Sequence, residues 1–205
     1  MSKKPPGKRG KRSAAAPSSR LPTFALDNLS AEQHALVEAI KSGPRGRFHN
    51  EGPFAVYLHA PGYGKLAQAL GGYLRYHTSL PPRLKEFAIL CTAQHWKAQY
   101  EWHAHAPMAA ADGVKETTIR NLKAGHPAKS AAKDELAIYE LVKQVYAKRR
   151  VSNAAYARVH KVIGDTGMVE LVGILGYYAL ISMTLNVFRM PLPEGSALPF
   201  AEPSI

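Results

Sequence analysis

Between Arg83 and Val114 the chain reads RLKEFAILCTAQHWKAQYEWHAHAPMAAADGV, which sets Glu86, Glu101, His103 and His105 among Trp96, Tyr100 and Trp102. Such a set suits metal ligation, acid/base chemistry or a plain solvated helix face. His103 and His105 are two positions apart, so on a regular helix they point roughly 200° away from each other and cannot share an ion. Glu101 and His105 share a face, as do Cys91 and His95, but each pair lacks a clear third ligand, and no metal is expected. A carboxylate four residues before an imidazole can hydrogen-bond to it and fix its tautomer, which is the arrangement of an acid/base pair. Glu86 is the third member of interest. On one continuous helix it would lie about 22 Å from Glu101. It joins the pair only if the chain bends, and the intervening WKAQY contains neither Gly nor Pro to force a bend. The residues by themselves do not choose between an acid/base site and a polar helix face.

The elements that must position these residues read as helices from Ser30 onward. SAEQHALVEAIKSG opens on a capping box, Ser30 with Gln33, and closes at Gly43 and Pro44. A Gly-rich basic loop, GPRGRFHNEG, follows. PFAVYLHAPGYGKLAQALGGYLRYH predicts a short helix, a break at Pro61–Gly64 and a longer helix. SLPPRLKEFAILCTAQHW opens with prolines, which a helix N-terminus tolerates. KETTIRNLKAG, SAAKDELAIYELVKQVYAKRR and SNAAYARVHKVIG are further helices, and no strand alternation appears, so the fold class is all-α. The run from Met168 to Phe188 is long enough to span a bilayer, yet Glu170, Ser182, Thr184 and Asn186 interrupt it. It reads as a core helix of a bundle, and no membrane association is expected.

Composition bounds the rest. The 205 residues carry a formal net charge of +12, but residues 1–20 hold seven Lys and Arg and no acid, leaving +5 for residues 21–205. Residues 1–20 have no large apolar side chain after Met1 and read as a disordered basic tail, with nucleic-acid contact a weak, salt-sensitive possibility. One domain is expected over 21–205. The single cysteine, Cys91, excludes an intramolecular disulfide and a Cys-x-x-Cys redox pair within this chain. No apolar stretch near Met1 resembles a secretory signal, and the expected location is cytoplasmic.

The order Glu86, Glu101, His105 and the words LKEFAIL, YEWHAHAPMAAADGV and ELVGILGYYALISMTLNVFRMPLPEG resemble the carboxymuconolactone decarboxylase family, over roughly Leu66 to Gly195. That family shares its fold with the alkylhydroperoxidase-D proteins, so the resemblance implies an alkylhydroperoxidase-D-like helical bundle and a cyclic trimer or hexamer. It also implies a helix ending after Trp96 and a new one beginning near Tyr100. The peroxidase branch has a redox Cys-x-x-Cys; here Ala98 and Glu101 occupy the two cysteine positions, and Tyr100 stands where an assisting His is often found. Cys91 falls elsewhere and reads as a small buried hydrophobe. Dithiol peroxide reduction is therefore not expected. The resemblance implies a cofactor-free lyase acting on a small cyclic or oxo-acid, with His105 as proton donor, Glu101 as its partner or base and Glu86 as the orienting carboxylate. Trp96, Tyr100, Trp102 and His103 are the candidate pocket walls. The alternatives are a lactone hydrolase or isomerase using the same Glu/His pair, and a non-catalytic oligomeric binding protein.

Overall fold

The structure, a computed structural model, describes residues 19–126 and 130–203, so the tail expected over 1–20 lies outside the described residues except for Ser19 and Arg20. The described residues form eight helices and no strand: α1 (Ala31–Lys41), α2 (Gly52–Tyr57), α3 (Pro61–Tyr76), α4 (Pro82–Trp96), α5 (Gln99–Ala111), α6 (Glu116–Lys123), α7 (Lys133–Lys148) and α8 (Asn153–Phe188).

The helix starts follow from local chemistry. Ser30 accepts from the Gln33 amide while the Gln33 side chain accepts from the Ser30 amide, so the capping box of α1 forms as expected. Prolines open α2, α3 and α4, where a missing N–H leaves nothing unpaired. Pro61 thus begins α3 directly; the chain has no separate break running on to Gly64. The long α8 contains one: Gly164 adopts φ 66 and ψ −174, a conformation open in practice to glycine alone, so two helical stretches meet there at a kink.

α4 is the hub, packed against α5, α7 and α8. Its consecutive residues Phe87, Ala88, Ile89 and Leu90 are all fully buried, which no amphipathic surface helix would allow. Around it lie Ile138, Leu141 and Val142 of α7 and Leu171, Ile174, Leu175, Ile181 and Leu185 of α8. Each large apolar side chain of this kind contributes roughly 1.5–3 kcal/mol by leaving water. Among the described residues α8 alone has the length and composition of a membrane span, and one side of it builds this core. Its Glu170 has a structural partner: Oε2 accepts from the Ser79 amide at 2.7 Å and the Ser79 hydroxyl at 2.6 Å, and Oε1 from the Tyr73 hydroxyl at 3.2 Å. The carboxylate therefore ties the α3–α4 connection to α8.

Two further ties hold the frame. Arg83 at the start of α4 reaches Asp134 at 2.6 Å and the buried Glu135, fixing α4 to the start of α7. Arg20 donates from its amide to the Phe188 carbonyl and from its guanidinium to the Val187 carbonyl, both at 2.9 Å, capping the end of α8.

Candidate active site

The bend that the sequence does not announce occurs at Lys97. α4 ends at Trp96, Lys97 turns left-handed (φ 49, ψ 37), and α5 begins at Gln99. The Ala98 amide donates back to the Ala93 carbonyl at 2.9 Å, the long return bond of a Schellman ending, with a lysine in the place usually taken by glycine. The reversal lays α5 against α4.

Glu86 and His105 meet as a result. They are nineteen residues apart, yet His105 Nδ1 lies 2.7 Å from Glu86 Oε2. On the other side of the ring, His105 Nε2 lies 3.3 Å from Glu101 Oε2, one helical turn away on α5. All three side chains are buried, at 3–4% exposure. The edge of the ring is closed by Tyr178 of α8, whose ring centroid is 5.0 Å away at 88°.

The electrostatics of Glu101 are set first by its burial. Burial raises the Glu101 pKa, and the charge of Glu86 raises it further, against the opposing pull of His105, Arg75 and Arg45. Oε2 of Glu101 is buried with no hydrogen-bond partner among the described residues and faces His105 Nε2 across 3.3 Å. The geometry lets Nδ1–H of His105 donate to Glu86 while Nε2 faces the Glu101 carboxyl.

Glu101 and His105 open onto a cavity of about 80 Å³ with aromatic walls, Phe54, Tyr100, Tyr177 and Tyr178, together with Ile181, Arg45 and Arg75. Desolvation pushes the Tyr100 and Tyr177 hydroxyls up to about 12 and Tyr178 well above its ordinary value. All three hydroxyls keep their protons near neutral pH and cannot act as bases there. The Tyr100 ring lies over Gly52, where a Cβ would come within 2.6 Å of it; Gly52 has φ 55 as well, so both space and backbone call for glycine there.

Of the residues singled out from sequence, Glu86, Glu101 and His105 come together and Tyr100 lines the cavity. Trp96, Trp102 and His103 are not among its lining residues. Trp102 and His103 follow Glu101 by one and two positions, which turns them roughly 100° and 200° round the helix. Trp102 is buried instead against Phe200, centroids 5.3 Å apart, and Gln99 exchanges two hydrogen bonds with the Phe200 backbone to hold that C-terminal strap. Trp96 sits at the far end of α4, where its carbonyl accepts from Asn186. Arg45, Phe54, Arg75, Tyr177, Tyr178 and Ile181 were not anticipated. They come from a loop, α2, α3 and α8, and no local spacing connects them. Among the described residues no group of three or more His, Cys, Asp and Glu is arranged to hold a metal ion. Cys91 is buried on α4, and burial drives its thiol pKa far up.

No family model and no curated protein matches the sequence. Solved structures do match the fold. The uncharacterized peroxidase-related protein from Ralstonia eutropha JMP134, an alkylhydroperoxidase AhpD core, aligns with TM-score 0.72 at 17% identity over 88% of this chain and 95% of that one. An uncharacterized peroxidase-related protein from Silicibacter sp. TM1040 gives 0.68 at 12% identity over 89% and 95%. A protein of unknown function from Agrobacterium tumefaciens gives 0.61 at 17% identity over 67% and 95%. At these identities the likeness establishes architecture: the chain has the all-α, alkylhydroperoxidase-D-like fold.

Proposed function

We propose that the protein is a cofactor-free acid/base enzyme of the carboxymuconolactone decarboxylase type, acting on a small organic acid in the cytoplasm. The observation that carries this reading is the Glu86–His105–Glu101 line, with its distances of 2.7 and 3.3 Å, ending at a small cavity with aromatic walls. A buried carboxyl whose pKa is raised by desolvation, set beside an imidazole, suits proton transfer.

In the reaction, the bond from carbon to the departing carboxylate breaks and carbon dioxide leaves. The electron pair passes into a carbonyl of the substrate itself, giving an enolate. Glu101 delivers its proton to that carbon and becomes a carboxylate. A proton taken from water then restores Glu101, with Nε2 of His105 as relay and the Glu86 carboxylate stabilising the transient imidazolium. Every proton is accounted for, and no redox step is involved. The peroxidase-related names of the fold relatives do not extend to this chain in our reading, because dithiol chemistry needs two cysteines and this chain has one, buried.

Self-association belongs to the same proposal. α3 exposes Leu66 (74%) and Leu70, and α8 exposes Val169 (75%) and Val172 (61%); the Tyr73–Glu170 bond places these stripes side by side. An apolar patch of this kind supports a homo-oligomer, which light scattering on the eluting protein tests directly. The chemistry is tested by incubating the protein with a panel of β-oxo and unsaturated lactone acids in deuterated water. Carbon dioxide release with one deuterium entering the product is expected. Lactone opening without carbon dioxide would transfer the same site to hydrolysis.

A further inference from the structure

The cavity above Glu101 and His105 is not isolated. Arg45, Phe54 and Arg75 also line a second, wider cavity of about 380 Å³, whose other walls include Arg47, His49 and Tyr76. These three shared residues therefore mark the junction between an outer basic vestibule and the inner proton-transfer site. Arg45 comes from the loop after α1 and Arg75 from the last turn of α3.

Both guanidiniums are held in place without an acid. The Arg45 guanidinium carbon lies 5.0 Å from the Phe54 ring centroid and 5.9 Å from that of Tyr76, and the Arg75 carbon lies 5.4 Å from Tyr76 on the same ring. Two like charges are thus gathered around one tyrosine. Neither forms an ion pair within 4.0 Å among the described residues, whereas Arg83, also half-buried, has two acidic partners. The Arg45 Nε is buried and unpartnered. One Arg75 nitrogen has only the Met108 sulfur, at 2.7 Å, a weak acceptor for a cation. Guanidiniums stacked on aromatic rings keep their N–H edges free for a planar, bidentate acceptor.

We propose that Arg45 and Arg75 form a carboxylate-recognition subsite at this junction, which holds a carboxylate of the substrate that is retained while the reacting end reaches Glu101 and His105. Recognition by the arginines stands on their own geometry; only the fate of the inner end rests on the acid/base reading. A carboxylate clamped between two cations is stabilised as it stands, so it is the handle of the substrate and not the group that leaves.

The rival account is that the two arginines serve only to offset the charges of Glu86 and Glu101. Titration calorimetry and thermal shift with benzoate, benzamide and inorganic phosphate separate the two. The wild type should bind benzoate and be stabilised by it, and should ignore its neutral counterpart benzamide. Arg45→Gln and Arg75→Gln should each weaken benzoate about tenfold to a hundredfold, as loss of one charged hydrogen-bonding partner does. Arg45→Lys, which keeps the charge and loses the fork, should fall between and controls for folding. Glu101→Gln should bind benzoate at least as well as the wild type, because recognition does not use that carboxyl. No benzoate binding by the wild type, binding as tight as the wild type's in both glutamine variants, or tighter phosphate binding through the same arginines would each overturn the proposal. Benzoate binding that depends on the arginines, in a protein that turns over no acid, would keep the subsite and remove the acid/base reading instead.

Discussion

His105 Nδ1 and Glu86 Oε2 lie 2.7 Å apart although nineteen residues separate them, and a straight helix would hold them roughly 28 Å apart. The left-handed turn at Lys97 is the whole difference. A lysine there bears a strain that glycine would not, on the order of 1–2 kcal/mol. Lys97→Gly should therefore leave the thermal midpoint unchanged or higher, after the loss of the Lys97 contact with the Phe200 ring at 5.1 Å. Lys97→Val should lower stability by about 1–2 kcal/mol, read in urea unfolding.

This turn also shows why only part of the architecture was legible. The helices were readable from caps, prolines and periodic apolar residues, because those signals are local. The break was not, since Lys97 carries no breaker chemistry and its conformation is imposed by the packing of α5 on α4. It entered as an implication of family resemblance, along with the convergence of Glu86, Glu101 and His105. Trp96, Trp102 and His103 were misplaced because proximity in sequence says little about which side of a helix meets a cavity. Arg45 and Arg75 gave no signal at all, since α1–α2 and α3 approach the site only in three dimensions.

Glu101 makes stability depend on pH in a defined direction. Its pKa is raised mainly by burial, so the folded state holds a proton that the unfolded chain has released. The stabilisation this gives is complete below the ordinary glutamate value of about 4.3 and is lost as pH rises through the folded value. Glu101→Gln imitates the protonated form at every pH. Its melting temperature relative to the wild type should rise between pH 4 and pH 8; a constant difference would show that Glu101 is ionised as easily in the fold as outside it.

Gly164 and Glu170 test the reading of α8 as a kinked core helix. Gly164→Ala forces a side chain into a conformation that only glycine adopts readily and should cost about 1–3 kcal/mol. Glu170→Ala removes the acceptor of three hydrogen bonds and should cost a similar amount, about 1–3 kcal/mol, by leaving Ser79 and Tyr73 unpaired. Chemical denaturation measures both.

Cys91 should prove structural. Cys91→Ser places a hydroxyl in the core and should lower stability modestly, while turnover of any acid changes by no more than a small factor. The wild type should show no dithiol-dependent reduction of hydroperoxides; such activity, lost in Cys91→Ser, would return the thiol to the mechanism.

The central claim is that Glu86, His105 and Glu101 move one proton as a unit. It is tested most directly by turnover of the wild type, Glu101→Gln, His105→Asn and the double variant on an acid that releases carbon dioxide in the panel assay. Asparagine at 105 keeps a donor towards Glu86, so folding should be preserved. Each single change should lower turnover by about a hundredfold to ten-thousandfold. The double variant should be hardly slower than the worse single one, because the second change removes a group that already has no partner. Losses that multiply in the double variant would show two independent residues and contradict the relay.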